Sequence, residues 1–279
     1  MELPTYPFQH QRYWLEAPPS TDHPLLSTAL SLADGGGAVL NGRLSLRTHP
    51  WLADHAVLGS VLFPGTGFVE LALRTADEVG AAGIEELVVS APLTLAERGE
   101  VHVQVTVTAP DETGRRSLTV HSRTDEEWVL HASGMLTQNH QDTPVWPKQW
   151  PPAGAETVDV QGLYRGLAEA DLTYGPLFQG LTAAWRVGDE VLAEVTLPDG
   201  AVTTGFGLHP VLSDAALHAV GLNAGTQTRL PFAFRDVSLH AVGASTLRVR
   251  VSPAGTDAVS VELADAAGQP VASIGELVL

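Results

Sequence analysis

The chain has 279 residues, 44% of them hydrophobic and 17% charged, enough to bury one large core or two modest ones. Its 32 acidic residues against 15 basic ones give a formal charge of −17, which argues against nucleic acid and anionic membranes as partners. Cysteine is absent, which excludes disulfides, thiolate nucleophiles and cysteine-bound zinc.

The opening run "ELPTYPFQHQRYWLE" is interrupted by Pro4 and Pro7, yet its aromatic residues suit a segment that docks on a surface; "APPSTD" then reads as a linker. The stretch 101–109, "VHVQVTVTA", alternates apolar and polar residues, as a half-buried strand does. A turn at "PDETGRR" and a second alternating run, "SLTVHSR", predict a hairpin. "IEELVVSAPLTL" and "EEWVLHASGML" read as further strands. One segment breaks this pattern: in "GTGFVELALRTADEV" (65–79), Phe68, Leu71, Ala72 and Thr75 fall at helical spacing, with Thr66 as the expected N-cap.

Residues 139–159 carry four prolines and no periodicity, and are expected to form a linker. Beyond them "VQGLYRGLAEADL" reads as a helix, "LTAAWRVGDEVLAEVTL" as strands, and "HPVLSDAALHAVGL" (209–222) as a second apolar helix. The runs "VSLHAV", "STLRVRVS", "AVSVELAD" and "PVASIGELVL" close the chain as strands. Aligning Pro64 on Pro210 gives the two halves the same order of elements, as a duplication would. Each half is a set of antiparallel strands around a single helix, an α+β arrangement.

Four features can carry chemistry. His55, among Val57, Leu58, Val61 and Leu62, reads two ways: a neutral base in a dry pocket, or a core histidine donating to a carbonyl. Its neighbour Asp54 makes a poor orienting partner, because adjacent strand residues face opposite ways. Asp214 and His218 stand four residues apart on a predicted apolar helix, either as an exposed pair or as a buried acid oriented by an imidazole. In "LTYGPLF" (172–178), Tyr174 precedes a Gly175–Pro176 turn, where it serves either the turn or a pocket. Finally, the helix entry at Gly65 offers free amides to a developing oxyanion. A dinucleotide fingerprint, a G-x-S-x-G elbow and paired helical histidines are all missing from the sequence.

Together these residues resemble the dehydratase domain of modular type I polyketide synthases. The family's H-x-x-x-G-x-x-x-x-P motif is complete in His55, Gly59 and Pro64. Its G-Y-x-Y-G-P-x-F motif is matched by Tyr174, Gly175, Pro176 and Phe178, with Asp171 for the glycine and Leu172 for the first tyrosine. Its D-x-x-x-Q/H motif is matched by Asp214 and His218, with Ser213 replacing a leucine, and "LPFAF" (230–234) stands for L-P-F-x-W. "LPTYPFQHQRYW" resembles the linker that follows an acyltransferase, so the chain is expected to be a piece of a longer polypeptide.

The resemblance implies a double hotdog fold, with a linker segment over 1–22, an N-terminal hotdog over 23–140, a linker over 141–158 and a C-terminal hotdog over 159–279. It implies dehydration of a β-hydroxyacyl thioester to an α,β-unsaturated, trans thioester, from a 3R-hydroxyl. His55 would be the base and Asp214 the acid; His218 would orient Asp214, Tyr174 would bond near the leaving oxygen, and the Gly65 amide would polarise the thioester carbonyl. Gly59, Pro64, Gly175, Pro176 and Phe178 would be scaffold. No cofactor or metal of its own is expected, because the substrate arrives on the phosphopantetheine arm of an acyl carrier protein. The implied partners are that carrier, the neighbouring acyltransferase and ketoreductase domains, and a second copy in a homodimer. Arg12, Arg229, Arg235, Arg248 and Arg250 are candidate docking cations by charge alone. No apolar run reaches membrane-span length and no signal-peptide pattern opens the chain, so a soluble, cytoplasmic protein is expected. Other readings of the same residues are a double-bond isomerase, a domain closing a cyclic ether, a thioester-binding module and a non-catalytic structural hotdog.

Overall fold

A computed structural model describes residues 22–33, 35–139, 141–198, 200–222 and 231–279. The opening linker segment, apart from Asp22, and both Arg12 and Arg229 lie outside the described residues.

The first half runs β1 (Thr28–Ser31), β2 (Ala38–Leu44), β3 (His55–Val57), β4 (Ser60–Val61), α1 (Gly65–Glu78), β5 (Gly83–Val89), β6 (Val101–Val107), β7 (Arg116–Arg123) and β8 (Val129–Thr137). The second runs β9 (Glu156–Val158), α2 (Gln161–Glu169), β10 (Leu172–Tyr174), β11 (Leu181–Val187), β12 (Glu190–Thr196), α3 (Pro210–Leu217), β13 (Ala233–Leu239), β14 (Thr246–Pro253), β15 (Ala258–Ala264) and β16 (Pro270–Val278). In β6 the residues alternate strictly between buried and half-buried, as the sequence pattern requires of a strand with one face on the core.

The two halves are hotdogs, each a sheet packed on one apolar helix, and together they form the double hotdog. The two sheets join edge to edge where β5 pairs with β13, so thirteen strands run continuously from β1 to β9. Helices α1 and α3 pack on their own sheets and on each other, inside one contiguous hydrophobic core.

Several details differ from the sequence reading. The run 84–95 leaves the sheet after Val89, because Pro92 follows and proline cannot donate to a ladder. The stretch expected as a linker ends in strand β9, paired with β11 at the sheet's far edge. The run 209–222 is an α-helix only to Leu217, and tightens into a 3-10 turn over His218–Leu222. Thr66 is not the cap of α1: Pro64 holds that position and Thr66 lies within the first turn, its hydroxyl pointing across to α3. Proline suits a helix entry because the amide it lacks would have no partner inside the helix.

A second, smaller sheet lies apart from the large one, in the order β10-β3-β4. Strand β10 of the C-terminal half pairs antiparallel with β3 of the N-terminal half, and its register sets Tyr174 opposite His55. Between β3 and β4 the chain turns at Leu58 and Gly59, both with positive φ (50° and 74°), the handedness that a two-residue hairpin needs.

Candidate active site

His55 is the first residue of β3 and is 7% exposed. Its Nδ1 lies 2.9 Å from the carbonyl of Leu62. A carbonyl only accepts, so Nδ1 carries the hydrogen and Nε2 keeps its lone pair. The carbonyl bond expected of a core histidine is therefore present, and in the neutral ring it leaves Nε2 as the free nitrogen. Nε2 faces Asp214, 4.0 Å from its Oδ2. Phe178, fully buried, packs on the imidazole at a ring separation of 5.2 Å.

Asp214 sits in α3 and is 8% exposed. Thr66 reaches it from α1, its hydroxyl 3.3 Å from Oδ1 and 3.0 Å from the carbonyl of Pro210. His218, at the C-terminal end of α3, places Nε2 3.3 Å from Oδ2. That contact is close without being aligned as a hydrogen bond, so Asp214 Oδ2 and His218 Nε2 are both buried polar atoms with no hydrogen-bond partner. The other side of the His218 ring meets the Tyr164 hydroxyl of α2 at 3.3 Å, and that hydroxyl accepts the Leu181 amide at 3.1 Å. That hydroxyl keeps its hydrogen, and where it donates to Nδ1 the hydrogen of a neutral His218 ring sits on Nε2, toward Asp214.

Burial pushes the Asp214 carboxyl up, while the His218 contact, the charges of His55 and His218 and the Thr66 hydroxyl pull it down; the balance lies below the ordinary carboxylate value. The electrostatic part of that lowering exists only while the imidazoles are charged.

Tyr174 lies over the group, its ring 4.2 Å from that of His218 and 5.5 Å from that of His55. Burial and the Asp214 charge push its phenol far above the usual range, so the hydroxyl remains a donor. Gly175 follows in a turn held by Asp54, whose backbone carbonyl accepts the Gly175 amide at 2.7 Å. Pro176 is exposed at the tip of that turn. Asp54, dismissed as a partner for His55, orients the opposite strand instead. Thr66 was expected only as a cap and Asp54 was weighed only as a partner for His55, while Tyr164 lies in a run read simply as a helix.

These groups open into a cavity of about 500 Å³, reached by Gly65 at the start of α1 and walled by apolar side chains such as Phe68, Leu172 and Leu217. The candidate docking cations among the described residues, Arg235, Arg248 and Arg250, do not line this cavity and are already engaged. Arg235 is held between Glu86 and Glu276. Arg248 lies over the Trp150 ring, and Arg250 over Trp146 and beside Glu262, clamping the inter-hotdog segment to the outer face of the sheet.

Two family models match, one described as the polyketide synthase dehydratase domain over residues 23–123, the other as the polyketide synthase dehydratase N-terminal domain over 141–279. The chain belongs to the dehydratase domains of polyketide synthases. It is 52% identical to the polyketide synthase GfsA of Streptomyces halstedii over 307 aligned residues, which cover all of this chain and 4% of that protein. Among solved structures it resembles a dehydratase studied for substrate selection in the borrelidin and fluvirucin synthases, with a TM-score of 0.90, 50% identity and coverage of 93% of this chain and 95% of that one. It also resembles the bifunctional dehydratase-cyclase domain of ambruticin biosynthesis, with a TM-score of 0.85, 48% identity and coverage of 92% and 97%. Among the described residues no helix is long and apolar enough to cross a membrane.

Proposed function

We propose that this dehydratase domain removes water from a 3-hydroxyacyl thioester presented on the phosphopantetheine arm of an acyl carrier protein. The observation that carries this reading is the His55–Asp214 pair, a lone-pair nitrogen 4.0 Å from a carboxyl oxygen across a largely apolar cavity. His55 Nε2 takes the proton from Cα. The electron pair of that C–H bond becomes the Cα–Cβ double bond, and the Cβ–O bond breaks. Asp214 gives its proton to the departing hydroxyl, which leaves as water. The site starts neutral and ends as the imidazolium–carboxylate pair that its electrostatics stabilise; proton return from His55 to Asp214 resets it.

The supporting roles follow from placement. The Gly65 amide, at the open end of α1, donates to the thioester carbonyl and spreads the enolate charge. His218 and Tyr164 hold Asp214 in place, and Tyr174 donates to the leaving oxygen. General acid–base chemistry of this kind asks for no cofactor of the domain's own. A homodimer and tethered encounter with the carrier, in which effective concentration replaces affinity, belong to the same proposal.

The test is incubation with a 3-hydroxyacyl carrier protein or its pantetheine thioester, followed by mass spectrometry for loss of about 18 mass units. His55→Phe and Asp214→Asn should each abolish that loss, and full activity in either variant would remove that residue from the mechanism. The likeness to a dehydratase-cyclase favours one second reading, elimination followed by ring closure. A substrate with a distal hydroxyl separates the two, because an open-chain alkene as sole product excludes cyclisation.

A further inference from the structure

The site has a direction. Gly65 and Thr66 lie at its α1 end, Asp214 beyond them, then His218, then Tyr164 on α2. On the proposed dehydration, which this inference rests on, the thioester carbonyl meets Gly65 and the β-hydroxyl meets Asp214 and His218. The carbons past Cβ therefore continue toward α2.

The face of α2 that they meet is unusual in being half backbone. Gly162, Leu163, Gly166 and Leu167 line the cavity, and the two glycines are one helical turn apart. Both glycines are exposed and a Cβ built on Gly166 would meet nothing within 4 Å, so the cavity is open toward solvent along this stretch of α2. Independently, His218 Nε2 is a buried, unpartnered polar atom in a residue 7% exposed that lines the same cavity, so a ligand group is expected just short of this gap.

We infer that Gly166 is a specificity-determining position: its missing side chain leaves a channel along α2 for the acyl tail, so the domain accepts 3-hydroxyacyl groups with long tails beyond Cβ. A side chain at 166 fills that channel and leaves short substrates untouched. Leucine is a better helix former than glycine, so the substitution favours α2 and folding is not at stake.

The experiment compares wild type with Gly166→Leu on 3-hydroxybutanoyl-, 3-hydroxyhexanoyl- and 3-hydroxydecanoyl-pantetheine. It reads kcat/KM for dehydration and, by saturation-transfer NMR, binding of each thioester. In wild type the decanoyl substrate should be processed at least as well as the butanoyl one. In Gly166→Leu the butanoyl kcat/KM should stay within about 2-fold, while the decanoyl value falls on the order of 30-fold. Gly166→Ala should fall between. An equal loss at all lengths would mean that the pantetheine arm, not the acyl tail, runs over α2, and would overturn the inference. So would no loss at any length, or a wild type that rejects the decanoyl substrate. If wild type binds the thioesters with the expected length dependence but forms no alkene, the dehydration reading fails and the channel stands.

Discussion

The carboxylate of Asp54 accepts the backbone amide of Leu177 at 2.9 Å, a bond between residues 123 positions apart in the chain and on opposite hotdogs. Asp54 immediately precedes His55, and Leu177 lies three residues beyond Tyr174. The bond therefore fixes the small sheet that sets the histidine against the tyrosine. A Cβ on Gly175 would lie 2.3 Å from the Asp54 Cγ, so no side chain fits there. Gly175→Ala is expected to cost about 1–3 kcal/mol by overpacking, and Asp54→Ala to lower kcat by about 10-fold or more with KM less affected. Urea unfolding and steady-state kinetics measure the two.

Thr66 joins the two central helices at the acid. Thr66→Val keeps the shape and removes the hydroxyl that reaches the Pro210 carbonyl and Asp214 Oδ1. Loss of one bond to a charged group is worth about 1.5–3 kcal/mol, so kcat should drop by roughly 10- to 100-fold while thermal stability changes little. Unchanged kcat would show that Asp214 needs no help from α1.

Leu58 is 76% exposed and adopts a φ of 50°, a conformation that suits asparagine far better than leucine. Leu58→Asn creates an Asn-Gly turn and should stabilise the domain by about 1 kcal/mol without altering kcat/KM. A calorimetric melt with no upward shift would count against strain at this turn.

Glu70, 1% exposed in the middle of α1, accepts the amides of Gly207 and Leu208 at 2.7 and 2.8 Å and contacts His23 Nε2 at 3.0 Å. It ties the loop entering α3 to α1. Glu70→Gln replaces one accepting oxygen with a donor facing other donors, and should cost about 2–4 kcal/mol in chemical unfolding. Stability equal to wild type would mean that this loop is held by packing alone.

His209 caps α3, its Nδ1 accepting the Val211 amide at 3.2 Å, and burial pushes its pKa down to about 4 from 6.5. Below pH 6.5 the unfolded chain gains a proton here that the folded domain does not. The contribution of this group is therefore complete above 6.5 and falls as pH drops toward 4, by on the order of 3 kcal/mol. His209→Asn, which can still cap, should flatten that part of the curve of stability against pH. An unchanged slope would assign it to other histidines.

The cluster of His55, Asp214 and His218 was legible in the sequence because spacing and motif carry it: four residues bring Asp214 and His218 to one side of a helix, and the first motif marks His55. The hairpin at 101–123 and the helix at 65 were legible because periodicity is local. What joins the halves left no such mark. Strands β3 and β10 are three residues long, too short for any period, and the β5–β13 seam pairs edges far apart in sequence. The side chains of Arg248 and Arg250 alternate as strand residues should, but nothing local says that tryptophans from another segment cover them. Asp171 illustrates the reverse case. It stands where the family motif has glycine, and its φ of 60° shows why glycine suits the position.

The seam between β5 and β13 also decides how this domain can work. Backbone bonds there, the β3–β10 pairing and the helix contact fasten the halves at three places. A clamshell motion that swung His55 away from Asp214 would have to tear ladders of backbone bonds on every turnover. On the proposed dehydration, an acyl chain would instead be threaded lengthwise past a fixed pair and drawn out the same way.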